Sequence, residues 1–558
     1  MFGSQEKMVS RSLCVLLALS SASTTLAGRV QKDYLVVPPT AYGNRDAVKQ
    51  IFVDSYTAYK KFAFGHDDLL PLSKGFSDGR NGWGATIIDA MSTMQIMGLD
   101  DWFNEAVEFA SKIDFSKSQT NDTVSVFETT IRYLGGLLSA YELSGKKHPV
   151  LVEKAKEVAD KMAFAWQTPH QKIPYGFLDF TTNSPVIDTS NIAEAGTLDL
   201  EWFTLSKYTG NDTYRALTEG SVREVASIPP PLPGLAAQGI DPATDAFVGA
   251  YVTWGGGSDS YFEYLIKYAR LTNTDDNLFA DLWHTAVDSS IKFLLRESPV
   301  GNHVYLADQN NDGQIVGVSS HLACFHGGNW ILGGRLINND TIVKIGLDLV
   351  DGCWNTYAST ATGIGPEVFR YFTTNKTDPS NQRQITDAQR KFNDEHGFYI
   401  TAADYILRPE VLESNFYAWR VTGDTKYLDR AASAIKSFNT YLVAKETGGY
   451  AGLNDVDDPS QGQIDDTESF WFAEVLKYLY LTFDDPDHIS LDDYVFNTEA
   501  HPFIAPPAKP VYGSGAPNHP VYETAFVPSK VDAPLPAISP NRFAGVDIKA
   551  EVGVDINL

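Results

Sequence analysis

Apolar residues recur at helical spacing in seven segments of this chain, and each segment carries a carboxylate or a histidine near its start. Residues that repeat every three to four positions predict amphipathic helices. A carboxylate in an otherwise apolar helix is costly to bury unless it has a metal ion, water or a polyhydroxyl ligand as partner. The pattern therefore predicts a ring of helices around an acidic centre. The polar members, in chain order, are Asp89, Glu128, Glu201, Asp259, His321, Glu410, Glu413, Glu468 and Glu474.

Three of these segments end at a glycine and continue into a second amphipathic stretch, in the phrases YELSGKKHPVL, SKYTGNDTYRAL and WRVTGDTKYLDRA. Glycine after the last helical residue is a common helix stop. The stretches that follow carry Lys and Glu on one side, which predicts a solvated outer layer. Recurring helix pairs with polar groups near one end favour a closed ring over an open solenoid. We therefore predict an all-α fold, an (α/α)7 barrel with short β-hairpins at one end, although the pattern alone does not separate seven pairs from six.

The N-terminus has the layout of a secretory signal peptide, which we place at residues 1–27. Lys7 and Arg11 precede an apolar run over residues 13–19, and small residues follow up to Ala27. This order is typical of secretory signals, and the run is too short to span a bilayer. An uncleaved anchor is the alternative. No other segment resembles a membrane helix, so we expect no stable membrane span after signal cleavage.

The rest of the chain divides into three parts by composition. We expect an N-terminal linker over residues 28–39 and a catalytic barrel domain over residues 40–503. Residues 504–558 contain nine prolines and no helical period, which predicts a flexible tail. A small carbohydrate-binding module is the alternative, but the segment lacks the strand alternation and clustered tryptophans of such a module.

Composition limits the class of partner. The 558 residues include 44 basic and 70 acidic side chains, for a formal net charge of −26. A phosphate backbone needs clustered Lys and Arg, so we expect no nucleic-acid partner. Aromatic residues make up 12% of the chain, and an acidic, aromatic protein suits a neutral carbohydrate. We expect a monomer in the secretory pathway. Four Asn-x-Ser/Thr sequons agree with that route, at Asn121, Asn211, Asn339 and Asn375.

Cysteine content points to one disulfide bond. Cys14 lies in the predicted signal, which leaves Cys324 and Cys353 in the mature chain. In an oxidising compartment, two remaining cysteines are expected to pair. A metal site built from His321, Cys324 and His326 is the competing interpretation, but this spacing matches no standard zinc pattern.

The segment SVFETTIRYLGGLLSAYELSG pairs a carboxylate with an arginine one helical turn later. Glu128 and Arg132 are four residues apart, so they can form an ion pair on one helix face. An ordinary surface ion pair is the alternative. Gly135 and Gly136 weaken the same helix, which indicates close helix packing or close approach of a backbone.

Two further segments place carboxylates together. Pro409 suits the first turn of a helix and puts Glu410 near its N-terminus, where a negative charge is favoured. Glu413 follows three residues later, and Asp259 and Glu263 repeat the arrangement four residues apart. Helix-capping charge is the simpler interpretation, although it explains one carboxylate better than two among aromatic residues.

Aromatic residues surround the last pair of carboxylates, Glu468 and Glu474. Phe470, Trp471 and Phe472 lie between them. Such a cluster is normally core, but its acidic neighbours favour a platform on which a sugar ring stacks.

One loop imitates a calcium-binding motif. Residues 308–313 read DQNNDG, like the first half of an EF-hand loop, but the twelfth position is Ser319 instead of Glu. We interpret this segment as a hydrated turn.

Several carboxylates around one cavity match the needs of glycoside hydrolysis. That reaction requires an acid to protonate the leaving oxygen and a base or nucleophile on the opposite side. Further carboxylates would repel one another unless a cation neutralised them. Ligands that are all oxygen favour Ca²⁺ over zinc or copper.

Seven ordered phrases give the chain a specific resemblance over about residues 40–503. They are RNGWGATIIDAM, VFETTIRYLGGLLSAY, DSYFEYLIK, SHLACF, LRPEVLESNFYAWRVTGD, ESFWFAEVLKYLYL and VFNTEAHPF. On these phrases the chain resembles the class I α-1,2-mannosidases, glycoside hydrolase family 47. The resemblance implies an (α/α)7 barrel, a bound Ca²⁺ and inverting removal of α-1,2-linked mannose from high-mannose N-glycans.

The resemblance also implies roles for three carboxylates. Glu128 matches the proposed general acid of the family and Glu410 its proposed base. Asp259 matches a third essential carboxylate whose role has competing assignments, so either Glu410 or Asp259 could be the base.

Metal-binding and substrate-binding residues follow from the same resemblance. Thr498 matches the residue that offers backbone and side-chain oxygens to calcium, and Cys324 and Cys353 match the family disulfide. The residues that match carboxylates holding metal-bound water or sugar hydroxyls are Asp89, Glu263, Glu413, Glu474 and Glu499. Arg132, Arg408 and Phe470 match side chains that contact the substrate.

One position departs from part of the family. Gly257 stands two residues before Asp259, where branch-selective members of the endoplasmic reticulum tend to carry Arg. A smaller residue leaves a roomier pocket, so we expect trimming of several α-1,2 linkages, from nine mannoses toward five.

Two other classes of function compete with this one. A non-catalytic glycan-binding, quality-control protein on the same barrel has no need of Glu128, Asp259 and Glu410 together. A glucan-cleaving (α/α)6 enzyme is difficult to reconcile with the phrase NTEAHP. No retention motif is visible at the C-terminus, so we expect an enzyme that is secreted or resides in the Golgi or vacuolar lumen.

Overall fold

The structure is a computed structural model that describes residues 28–167, 171–518, 520, 522 and 524–527. The signal peptide predicted at residues 1–27 lies outside the described residues. No helix in the described ranges combines the length and the apolar character needed to cross a membrane.

Helices dominate the described part of the chain. Their bounds are α1 Tyr42–Phe62, α2 Ala85–Ile96, α3 Asp100–Ala110, α4 Val126–Thr129, α5 Gly135–Leu143, α6 Pro149–Met162, α7 Ile192–Gly196, α8 Asp199–Thr209, α9 Thr213–Ser227, α10 Asp259–Thr272, α11 Leu278–Phe293, α12 Phe325–Leu336, α13 Asp340–Ala358, α14 Asp387–His396, α15 Glu410–Thr422, α16 Lys426–Tyr441 and α17 Leu476–Phe483. Two π-helical segments, Thr130–Leu134 and Trp471–Val475, precede α5 and α17.

The long helices form two concentric layers of seven. The inner layer consists of α2, α5 with its π-helical start, α8, α10, α12, α15 and α17, and almost every residue of α2, α10 and α12 is buried. The outer helices α1, α3, α6, α9, α11, α13 and α16 pack against them, and α17 closes the ring against α1 and α2. Amphipathic outer helices around nearly uniformly buried inner ones are the arrangement that the sequence pattern predicts. The (α/α)7 barrel is confirmed.

Short antiparallel strands connect the helices. Their bounds are β1 Asp68–Leu70, β2 Gly75–Ser77, β3 Val124–Ser125, β4 Phe177–Asp179, β5 Ser184–Pro185, β6 Ser190–Asn191, β7 Gly239–Asp241, β8 Ala246–Val248, β9 Leu295–Glu297, β10 Val304–Leu306, β11 Asp308–Gln309, β12 Ile315–Val316, β13 Val318–Ser320, β14 Val368–Arg370, β15 Tyr399–Ala402, β16 Tyr494–Phe496 and β17 Pro502–Ile504. They pair as two- or three-stranded sheets, such as β3-β4-β5, β6-β7-β8 and β13-β14-β15.

The last hairpin, β16–β17, lies at the C-terminal ends of the inner helices. The Ile504 backbone N–H of β17 donates to Glu142, near the end of α5, and Arg270, near the end of α10, donates to the Asp492 carbonyl oxygen. The hairpin turn therefore enters the barrel from the end opposite to the first turns of α10 and α15.

The first part of the predicted flexible tail is packed on the outside of the barrel. Arg270 donates to the Pro506 carbonyl oxygen, and the Ser514 backbone N–H donates to Asp281 of α11. Tyr512 is 3% exposed and its hydroxyl donates to Asn273. Prolines and polar residues lack a helical period, yet their backbone groups dock onto α10 and α11. The expectation of a flexible tail from residue 504 is thus corrected as far as Asn518, and residues 528–558 lie outside the described residues.

We expect the docked segment to contribute to stability. A chain that ends at Ile504 loses the buried Tyr512 ring, worth about 1.5–3 kcal/mol, and hydrogen bonds worth about 1 kcal/mol each. Its free energy of unfolding should fall by about 3–5 kcal/mol. Urea denaturation followed by circular dichroism measures the change. A chain that ends at Val527 keeps the docked segment and is the control, and equal stability of the two truncated chains would refute this account.

Candidate active site

A cavity with an empty volume of about 920 Å³ opens at the N-terminal ends of the inner helices. Its wall brings together residues from eight stretches of the chain. All three predicted catalytic carboxylates, all predicted substrate residues and four of the five predicted metal-site residues line it. These lining residues are Glu128, Arg132, Asp259, Glu263, Arg408, Glu410, Glu413, Phe470, Glu474, Thr498 and Glu499.

Glu128 and Arg132 form the ion pair that their spacing predicts. The Arg132 Nε donates to Glu128 Oε2 at 2.7 Å, and its guanidinium also pairs with Glu499. The same guanidinium lies 5.6 Å from the centre of the Phe470 ring, a cation–π contact. Burial alone would raise the pKa of Glu128, but Arg132 and Arg80 outweigh it and hold the pKa below its usual value. The Glu128 carboxyl is therefore ionised.

Glu410 begins α15, directly after Pro409, as the sequence predicts. Its Oε2 lies 2.7 Å from Nδ1 of His321, and the Nε2 of this histidine lies 2.7 Å from the Tyr357 hydroxyl. Burial acts to raise the pKa of Glu410, but the hydrogen bond from His321, the largest of the opposing effects, helps to keep it below its usual value. Glu410 is thus an ionised carboxylate with a fixed orientation.

Asp259 has the opposite electrostatic environment. It begins α10, where the Ser260 backbone N–H donates to it at 2.7 Å. Burial, reinforced by the charges of Glu263 and Glu410, raises the pKa of Asp259 to about 7. Glu410 and Asp259 therefore differ in protonation near neutral pH, which is the division that acid–base catalysis uses.

A buried lysine stabilises the next pair of carboxylates. Lys267, one turn after Glu263 on α10, pairs with that carboxylate and is fully buried. Glu413 accepts a hydrogen bond from Tyr478 at 3.2 Å. Burial and the charge of Glu263 raise the pKa of Glu413 to about 8.

The turn of the β16–β17 hairpin places Thr498 in the cavity. Asn497 holds this turn, because its amide N–H₂ group donates to the Ile131 carbonyl oxygen and to Glu201 at 2.7 Å. A Cβ atom on Gly135 would lie only 2.6 Å from the Asn497 amide nitrogen. The close packing predicted for the glycine pair thus occurs against the Asn497 side chain at Gly135, and a Cβ atom on Gly136 would lie 2.9 Å from the Ile88 carbonyl oxygen of α2.

Glu201 belongs to this support and does not line the cavity. It is fully buried, and Tyr264 also donates to it at 2.6 Å. Burial raises the pKa of Glu201 to about 8. This member of the predicted acidic ring therefore holds the turn in place from below.

Acidic groups crowd the floor of the cavity. Burial and the charge of Glu499 raise the pKa of Glu474 well above its usual value, and burial also raises the pKa of Glu499. Asp89 lies deeper and does not line the cavity; it accepts a hydrogen bond from Ser469 and faces His501 at 3.3 Å. The floor thus holds more carboxylates than its cations offset.

Two groups that position the lining residues have no such role in the sequence prediction. The sequence marks His321 as the polar residue of one inner segment and as a candidate metal ligand, and it gives no role to Glu367, which pairs with Arg408. Their partners in the fold are 89 and 41 residues away. No spacing rule links residues so far apart in the sequence.

The disulfide bond removes the competing metal site built from His321, Cys324 and His326. Cys324 and Cys353 make a disulfide with Cα atoms 5.9 Å apart, so no thiolate is free beside His321. Asp308 belongs to the β11–β12 hairpin, and its carboxylate accepts a hydrogen bond of 2.6 Å from the Tyr251 hydroxyl. Among the described residues, no three His, Cys, Asp or Glu side chains converge to hold a metal ion.

Thr498 nevertheless fits a calcium ligand. Within the described residues, neither its hydroxyl nor its carbonyl oxygen takes part in a hydrogen bond, and both belong to a residue that lines the cavity. Oxygen atoms surrounded by carboxylates suit a hard cation that keeps several water ligands. The donor set is therefore compatible with Ca²⁺ bound directly by Thr498 and through water by its acidic neighbours.

Comparisons with known proteins give a consistent result. The family model described as "Glycosyl hydrolase family 47" matches residues 51–505. The chain is 41% identical over 513 residues to mannosyl-oligosaccharide alpha-1,2-mannosidase 1B of Aspergillus phoenicis, covering 87% of this chain and 97% of that protein. It is 39% identical to the protein of the same name from Emericella nidulans, covering 88% and 98%.

A solved structure agrees in fold. The alpha-1,2-mannosidase from Trichoderma reesei superposes with a TM-score of 0.80 at 36% identity, covering 83% of this chain and 99% of that one. The phrases that carry the resemblance of the sequence lie within the matched range, and the barrel has the expected architecture. The chain belongs to glycosyl hydrolase family 47.

Proposed function

We propose that this protein hydrolyses terminal α-1,2-linked mannose residues of high-mannose N-glycans, from nine mannoses toward five. The carrying observation is that Glu128, Asp259 and Glu410 line one cavity with Thr498. Family membership and relatives named as α-1,2-mannosidases support the reaction. A lectin on the same barrel would need a cavity that binds sugar, but not ionised and protonated carboxyls side by side.

Glu410 is the proposed general base. Its carboxylate is ionised, and His321 fixes its orientation by a hydrogen bond of 2.7 Å. A carboxylate in this state can remove a proton from water that attacks the sugar carbon. Inversion follows when the water enters on the face opposite to the leaving oxygen.

The proton for the leaving oxygen has two candidate donors. The family resemblance assigns this role to Glu128, acting directly or through a bridging water. Arg132 keeps Glu128 ionised, whereas the pKa of Asp259 is raised to about 7. On these electrostatics Asp259 is the group that carries a proton at slightly acidic pH, so we propose it as the proton donor.

A calcium ion bound at Thr498 would polarise sugar hydroxyls and neutralise the acidic floor. Thr498 would supply oxygen ligands, and Asp89, Glu413, Glu474 and Glu499 would hold the surrounding water. These side chains also orient hydroxyls of the terminal mannose. Arg132 and Arg408 would contact the substrate, and the Phe470 ring would exclude water from one side of the sugar.

Pocket size supports removal of several mannoses. Gly257 lines the cavity in a left-handed conformation, with φ of +79°. The absence of a side chain leaves room for differently branched glycans. Arg at this position would fill the space and also strain the backbone.

Digestion of a defined nine-mannose glycan tests the proposal. We expect mannose release in several successive steps, loss of activity after EDTA treatment, and recovery on adding calcium. The variant Gly257→Arg should stop after fewer steps. Mass spectrometry of the products over time measures this. Glycan binding without any mannose release would favour the lectin, and a product that stops after one mannose would refute broad trimming.

The enzyme is proposed to act as a monomer within the secretory pathway, as a secreted protein or in the Golgi or vacuolar lumen. Asn121, Asn211 and Asn375 are exposed and Asn339 is half-buried at the start of α13. All four sequons remain candidate glycosylation sites.

A further inference from the structure

His321 connects the proposed base, Glu410, to a residue in the outer layer of the barrel. His321 is 1% exposed and Tyr357, on the outer helix α13, is fully buried. The imidazole thus has two neighbours at 2.7 Å, Glu410 at Nδ1 and the Tyr357 hydroxyl at Nε2. Each ring nitrogen has one polar partner, and water is excluded from both.

These contacts restrict where the imidazole proton lies. An ionised carboxylate only accepts hydrogen bonds, so Nδ1 of His321 must carry a proton to bind Glu410. Nε2 is then an acceptor in the neutral ring, and the Tyr357 hydroxyl can donate to it. Burial raises the pKa of Tyr357 well above its usual value, so this hydroxyl keeps its proton.

We propose that Tyr357 is a positioning residue for the base: its hydroxyl donates to Nε2 of His321 and holds the ring as the Nδ1–H tautomer. Without this donor, the neutral ring can move its proton to Nε2. The Nδ1 lone pair would then face the Glu410 carboxylate, and the base would lose its orientation. The positioning role of Tyr357 rests on the proposed role of Glu410 as base. The Nδ1–H tautomer of His321 does not depend on that proposal.

Tyr371 offers a matched control for removing a buried hydroxyl. It is fully buried like Tyr357, and its hydroxyl has no hydrogen-bond partner among the described residues. Tyr371 does not line the cavity. The change from Tyr to Phe is therefore chemically the same at both positions, while only Tyr357 reaches an imidazole.

The test combines NMR with kinetics on the full chain. The protein has 11 histidines, and ¹⁵N-histidine labelling with His321→Gln as the assignment variant identifies the His321 signals. We expect a protonated Nδ1 and an unprotonated Nε2 in the unaltered protein, and a mixture of tautomers in Tyr357→Phe. Because a positioned general base contributes about 10²–10⁴-fold, its partial loss should lower kcat about 10- to 100-fold with KM changed less than about threefold. Tyr371→Phe should change neither readout.

Two results would overturn the inference. One is a proton on Nε2 of His321 in the unaltered protein, as Nε2–H tautomer or imidazolium, and this measurement needs no variant to fold. The other is a Tyr357→Phe variant with an unchanged His321 tautomer and an unchanged kcat. If the unaltered enzyme releases no mannose while the Nδ1–H tautomer is present, the proposed function fails and the positioning contact stands.

Discussion

Replacement of Glu410 by Gln is expected to lower kcat for mannose release by about 10³- to 10⁴-fold, the upper part of the range for a general base. The amide cannot take a proton from water at neutral pH. Its carbonyl oxygen can still accept the hydrogen bond from Nδ1 of His321, which lies 2.7 Å from the native carboxylate. The shape of the cavity should therefore persist, and binding of the glycan should remain within a few fold.

Steady-state kinetics and calorimetric titration of a high-mannose glycan separate the two effects. Glu219→Gln is the matched control, because Glu219 pairs with Arg215 on the outer helix α9 and does not line the cavity. It should retain kcat. If Glu410→Gln keeps more than about a tenth of the activity, Glu410 is not the base, since a general base accounts for at least about 100-fold.

The parts of the site that the sequence predicts are those encoded by local spacing. Glu128 and Arg132 are one helical turn apart, and Pro409 fixes the start of α15, so the neighbours of each follow from helix geometry. The inner helices are recognisable because a polar residue in an apolar stretch must face a polar centre. Helix spacing and helix-start rules therefore suffice to predict the ring of inner helices and the polar residues in the first turns of these helices.

Two inner helices contain π-helical segments that no periodicity predicts. Arg132 lies in Thr130–Leu134 and Glu474 in Trp471–Val475. A π turn rotates the following side chains relative to an α-helix and is frequent at functional sites. A π turn persists only where tertiary packing stabilises it, so the spacing of apolar and polar residues does not predict one.

The difference between the carboxyls also depends on the fold. Local spacing supplies one neighbour of each carboxyl, Arg132 one turn after Glu128 and Glu263 one turn after Asp259, but Arg80 and Glu410 come from distant parts of the chain. Their pKa values separate because Arg80 and Arg132 reach Glu128, whereas Glu263 and Glu410 surround Asp259. The assignment of acid and base therefore requires the three-dimensional arrangement.

Replacement of Asp259 by Asn is expected to lower kcat/KM about 10²- to 10³-fold, within the range for a general acid. Because the pKa of Asp259 is raised to about 7, its proton is present below this pH and lost above it. The unaltered enzyme should therefore lose about tenfold in kcat/KM per pH unit on the alkaline side, and the residual activity of Asp259→Asn should lack this decline. Glu128→Gln serves as the comparison, because if that variant lacks the decline and Asp259→Asn retains it, Glu128 is the acid, as the family resemblance implies.

Stability provides a readout that does not depend on catalysis. A buried carboxyl with a raised pKa favours the folded state only while it is protonated. The contribution therefore weakens as pH rises from the ordinary value of 3.8 toward about 7. Asn carries no charge, so the free energy of unfolding of Asp259→Asn does not fall with pH for this reason. Asp259→Asn should thus gain stability relative to the unaltered protein across that interval, by about 4 kcal/mol at most. Urea unfolding at pH 4.5 and pH 8 measures the gain, and a difference that does not grow with pH would show that Asp259 is ionised in the folded protein and unsuited to donate a proton.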